Sequence, residues 1–162
     1  MNRKELAKQY FYDGYACSQA IVLAFSDLLN MDKEQLIKVS LPFGGGIGRL
    51  RLTCGAFSGM LMVVSLLFSN YEDVEENKIK TYEIVQELAK RFEEVHTTLS
   101  CEKILELAQI DIQIGGSPEA RTDEYYKKRP CGKIVYQAAE ILEKYYIENM
   151  SQKIYNNCDI GD

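Results

Sequence analysis

Apolar residues recur along most of this chain at spacings of three and four, the period of a helix buried on one face. No segment shows the alternation of a strand. A short first helix is expected near residues 3–12, with Asp13-Gly14-Tyr15 as its exit. From Cys17 the positions Ala20, Ile21, Ala24, Phe25 and Leu28 make an inward stripe headed by the thiol, and Asn30-Met31-Asp32 ends it. Asp32 can cap a short helix to about Ser40, since its carboxylate can accept from unpaired first-turn amides. Pro42 and the run Gly44-Gly45-Gly46-Ile47-Gly48 then make a loop.

A helix beginning around Thr53 is apolar nearly all round, through Met60, Leu61, Met62, Val63, Val64, Leu66, Leu67 and Phe68, and belongs at the centre of a bundle. Gly55 and Gly59 lie on one of its faces, where another backbone or a bound group can come close. An amphipathic helix from Glu72 to about His96 follows, with Tyr82, Val85, Leu88, Ala89, Phe92 and Val95 as its stripe. Ser100 caps a short helix carrying Cys101, Ile104, Leu105 and Ala108. Gly115-Gly116-Ser117-Pro118 breaks the chain, and the charged stretch 118–129 is expected as a partly exposed loop or short helix. Pro130 suits the first turn of a last long helix bearing Cys131, Ile134, Val135, Ala138, Ala139, Ile141, Leu142 and Tyr145. The fold class is therefore all-α, a single-domain helical bundle over residues 1–150 with a polar C-terminal tail at 151–162.

Composition narrows the function. A chain of 162 residues can bury an adequate core without disulfides or a structural metal, so its five cysteines are not needed for folding. The net charge of -5 argues against a nucleic-acid binder. The N-terminus lacks the pattern of a secretory signal, and the apolar run from Cys54 to Phe68, at about fifteen residues, is shorter than the roughly twenty that span a bilayer. A cytoplasmic protein without membrane association is expected, and reduced thiols with it.

Cys17, Cys54, Cys101 and Cys131 each stand at an expected helix start, on the apolar stripe. Unpaired amides and the positive end of the helix dipole favour thiolate there, and thiolate is the form that ligates soft metals and iron–sulfur clusters. Each cysteine taken alone reads first as buried packing, and no Cys-x-x-Cys pair marks a zinc ribbon or thioredoxin-like site. Four in one context point to a shared thiol site. The glycine loop fits neither a dinucleotide nor a Walker pattern; its backbone could approach a cofactor, with Arg49 and Arg51 adding charge, or serve as a structural turn. His96 reads as a surface or helix-end residue, and Met60 and Met62 as core. Cys158, outside the bundle, reads as an incidental exposed thiol, or as a swapped ligand or resolving thiol. Some of the eleven tyrosines are candidates for an oligomer interface, such as a homodimer's.

Gly14-Tyr15-Ala16-Cys17-Ser18-Gln19-Ala20, the loop Phe43 to Gly48, Cys54-Gly55-Ala56-Phe57-Ser58-Gly59, Cys101 and Cys131 together resemble the redox-active protein family named for its pattern of C, CGAxxG, C and C. The resemblance covers about residues 3–148. It implies a redox role resting on those four cysteines, and a similar helical domain in split-Soret type cytochromes is associated with an iron–sulfur centre. The chain has no Cys-x-x-Cys-His for c-type haem.

Three functions follow. In the first, a redox or electron-transfer protein holds an iron–sulfur cluster through Cys17, Cys54, Cys101 and Cys131, with Gly45, Gly46 and Gly55 close to the cofactor, and exchanges electrons with a partner protein or small carrier. In the second, the thiols cycle through a disulfide without metal. In the third, they form a non-catalytic binding or sensing module, for example for zinc.

Overall fold

The computed structural model describes residues 2–69 and 72–158, with side chains as far as Met150. Among these residues eight helices form: α1 (Arg3–Tyr12), α2 (Cys17–Ala24), α3 (Lys33–Ser40), α4 (Gly55–Phe68), α5 (Val74–His96), α6 (Cys101–Leu107), α7 (Asp123–Lys128) and α8 (Cys131–Cys158). Extended pairing among the described residues is limited to one isolated bridge, Thr53 with Ser100. The all-α expectation holds.

Local chemistry sets the helix starts. Side chains of Asn2, Asp32, Asp73, Ser100 and Thr122 accept from first-turn amides of α1, α3, α5, α6 and α7. The N-caps of α2 and α4 are Ala16 and Cys54, which supply no oxygen acceptor. The expected second helix stops at Ala24 and continues as a 3-10 turn over Ser26–Leu28. There the Ser26 hydroxyl donates to Leu23 O at 2.9 Å, a local bond that competes with the helical ladder. The last helix runs beyond Met150 to Cys158, whose side chain lies outside the described residues.

Burial centres on α2, where every residue from Ser18 to Phe25 is buried. Helices α1, α3, α4 and α8 surround it. Its polar residues are satisfied by the end of α3: Ser18 Oγ donates to Ser40 O at 2.7 Å and Gln19 Nε2 to Ile37 O at 3.0 Å. Helix α4 begins directly after Cys54 and is buried through Met60 and again at Val63 and Val64, before emerging at Ser65 and Leu66. The α2–α4 contact depends on Gly59, because a Cβ there would stand 2.7 Å from Ser18 O and 2.9 Å from Ile21 Cβ. Among the described residues no helix is long and apolar enough to cross a membrane.

Gly59→Ala forces these backbones apart and is expected to cost about 1–3 kcal/mol, read as a lower urea midpoint. An unchanged midpoint would contradict the close approach of α2 and α4.

Candidate functional site

The segment between α3 and α4 is built on left-handed backbone. Gly45, Gly46 and Gly48 have φ of 64°, 68° and 54°, and Ile47, Arg49 and Arg51 also have positive φ, at 63°, 73° and 61°. Non-glycine residues rarely adopt this region, and each costs on the order of 1 kcal/mol. A set of backbone bonds holds them there: Leu52 N donates to Gly46 O at 3.2 Å and Gly115 N to Arg49 O at 3.0 Å. The segment leaving this loop pairs antiparallel with the entry to α6. Cys54 N donates to Leu99 O at 2.7 Å, Cys101 N to Leu52 O at 2.6 Å and Glu102 N to Arg51 O at 3.0 Å. That clasp brings Cys54 and Cys101 to one place across nearly fifty residues of sequence.

Two glycines bring the other parts in. A Cβ at Gly46 would stand 2.7 Å from Cys101 Cβ, and one at Gly55 would stand 2.8 Å from Phe43 O and 3.3 Å from Cys17 Cβ. The loop and the start of α4 therefore fit against cysteine-bearing helix starts only without side chains at these positions. Around them opens a cavity of about 540 Å³, on whose wall Cys17, Cys54, Cys101 and Cys131 all lie, together with Gly45, Gly46 and Gly55. Four arginines, Arg49, Arg51, Arg121 and Arg129, share that wall with one carboxylate, Glu119.

Electrostatics differs among the four thiols. Cys54 is pushed up to about 12 by burial, with the charge of Cys131 adding to it, although the amides of Ala56 and Phe57 favour its charged form. Burial likewise raises Cys101, against the neighbouring Arg51 guanidinium. Cys17 faces Cys131 as a hydrogen-bond donor, which holds the proton on Cys17 and moves it well up. Cys131 moves down to about 7, chiefly through that bond and, against burial, through Arg129, Arg121 and Arg51. Cys131 alone moves toward thiolate, and it does so through Cys17 and the arginines rather than through its helix start; helix-start amides act on Cys54, where desolvation outweighs them.

The donor set can be tested against a metal. Among the described residues no group of three or more histidines, cysteines and acids gathers closely enough to hold a single metal ion. What the structure does supply is four cysteines on the wall of one cavity.

The remaining candidates lie elsewhere. Met60 is buried in the core and Met62 packs against it. His96 stacks on Phe92 with ring centroids 4.4 Å apart, over a separate hollow, where burial and Lys133 lower its pKa. Sequence reasoning missed Arg121, Tyr125 and Arg129, which it left in a partly exposed segment; Arg129 is instead 9% exposed and pairs with Glu119. A signal existed in Arg129-Pro130-Cys131, an arginine two residues ahead of a helix-heading thiol.

No curated protein and no solved structure matches the chain. Residues 15–145 match the family described as "Putative redox-active protein (C_GCAxxG_C_C)". The second element of the pattern reads Cys54-Gly55-Ala56-Phe57-Ser58-Gly59 here, with cysteine ahead of glycine. With the glycine loop and all four cavity cysteines inside the matched span, this chain belongs to the C_GCAxxG_C_C family of redox-active proteins.

Proposed function

We propose that the four-cysteine cavity is a redox centre for electron transfer, in which Cys17, Cys54, Cys101 and Cys131 hold an iron–sulfur cluster. The observation that carries this reading is the convergence of four cysteines, one from each of four separate helix starts, on one cavity. Such a cluster, when bound, takes up and releases an electron.

The chain's own residues supply the rest. Burial raises Cys54 and Cys101, and the bond to Cys131 together with burial raises Cys17; coordination would remove these protons and compensate the cost of desolvated sulfur charge. Arg51 and Arg129, 5% and 9% exposed, add positive charge where solvent cannot. Gly46 and Gly55 let backbone approach Cys101 and Cys17 closely. Protein isolated anaerobically is expected to be brown and to contain iron and acid-labile sulfide, and Cys54→Ser is expected to lower the iron content at least about tenfold. A colourless product without iron or sulfide, both as isolated and after reconstitution, would sink the cluster reading.

A second reading is favoured by one specific observation, the contact between Cys17 and Cys131 with the latter moved down to about 7. In metal-free protein this pair can form a disulfide: Cys131 supplies the attacking thiolate, Cys17 loses its proton, and an external disulfide accepts two electrons. Metal-free protein is expected to show iodoacetamide labelling of Cys131 that rises with pH and is half-maximal near 7, because only thiolate reacts, while Cys54 stays unlabelled. Mass-spectrometric mapping checks this; equal labelling of both thiols at pH 7 contradicts it.

A further inference from the structure

The cavity wall carries more positive charge than the protein around it explains. Four arginines face one carboxylate there, in a chain whose net charge is -5. Three of the four have acceptors of their own. Arg49 Nε donates to Gly115 O at 2.8 Å, Arg51 Nε to Gln113 O at 3.0 Å, and Arg129 is paired with Glu119. Among the described residues Arg121 has neither a hydrogen bond nor an ion pair, and its Nη1 is buried without an acceptor. Aromatic rings hold it instead: its guanidinium carbon lies 4.7 Å from the ring centroid of Phe11, 4.8 Å from Tyr125 and 5.8 Å from Tyr126. Stacking fixes the plane of a guanidinium and leaves its edge for an in-plane acceptor.

We propose that Arg121 anchors a small organic carboxylate that docks in the cysteine cavity, with its apolar body against Leu41, Ile104, Leu105 and Ile134. One guanidinium without an acceptor matches a planar monoanion, which its fork can bind through two parallel bonds. A cavity of about 540 Å³ with aliphatic walls accommodates the remainder of such a molecule. The bound acid lies beside Cys17 and Cys131, both of which feel the charge of Arg121. Its role as a ligand of the redox centre rests on the function proposed above; its binding does not.

The test is a calorimetric titration of the full chain, purified anaerobically, with benzoate, benzyl alcohol and sulfate at constant ionic strength. Benzoate is expected to saturate one site at least about tenfold more tightly than the neutral alcohol, because the alcohol lacks the charge-assisted bonds. Arg121→Gln is expected to weaken benzoate roughly tenfold, and Arg121→Lys, which keeps the charge but not the fork, by less. Four results would overturn the proposal: no saturable benzoate binding, equal affinity for benzyl alcohol, an unchanged affinity in Arg121→Gln, or tighter binding of sulfate. The comparison of acid and alcohol uses the unmodified chain and decides even where the glutamine variant does not fold. Iron and sulfide measured on the same sample separate the two claims. Benzoate binding by protein that stays free of iron and sulfide even after reconstitution defeats the cluster and supports Arg121, whereas metal without benzoate binding does the reverse.

Discussion

Backbones in this protein touch where a Cβ does not fit, and the rest of the molecule is arranged around those contacts. Gly59 sets α4 against the carbonyl of Ser18, Gly55 sets the start of the same helix against Phe43 O and Cys17, and Gly46 sets the loop against Cys101. The three contacts are linked, since α2, α4 and the clasp between the loop and α6 share residues. Through them the helix packing of the core fixes the positions of Cys17, Cys54 and Cys101, and α8 brings Cys131 against α2. The cavity is thus a product of packing at one end of the bundle rather than of any local motif.

Once the sulfurs are inside, charge becomes the second constraint. A buried thiol resists ionisation, and the raised Cys54 and Cys101 show that cost. Arginine lowers the cost without titrating itself, because its guanidinium stays protonated when buried. The four cavity arginines occur on the loop and on the stretch leading to α8, so both elements that close the site also bring its positive charge. A site of this composition is suited to negative charge that comes and goes, as it does when a thiol, a cluster or a bound anion changes state.

Helices were legible in the sequence because their cause is local: apolar spacing, the acceptors Asp32 and Ser100, and the breaks at Gly14 and Gly115-Gly116 act over a few residues. The four cysteines could be grouped for the same reason, each heading an inward stripe. What could not be read was which thiol carries the charge, since Cys131 differs from Cys17 through neighbours that only the fold supplies. Arg121 was invisible on similar grounds, and Arg129 was passed over although it stands two residues ahead of Cys131. Their segment carries seven charged residues within 118–129, and charge in sequence reads as solvated surface until a tertiary pairing such as Arg129–Glu119 shows otherwise.

The left-handed run from Gly45 to Arg51 bears on how such a site persists. Glycine accepts that backbone without strain, but Ile47, Arg49 and Arg51 do not, and no local preference explains their placement. Opposing the strain are the bonds of Arg49 and Arg51 to the 113–115 segment and the pairing of 51–54 with 99–102. These interactions are long-range, so the loop keeps its shape only while α6 and the chain beyond it stay docked. Three of the five non-glycine residues with positive φ among the described residues fall in this one segment, a concentration expected where a fold holds strained backbone for a site. A ligand of the sulfurs or arginines would add to the interactions that keep this segment docked, because binding to the folded arrangement alone stabilises it against the strain.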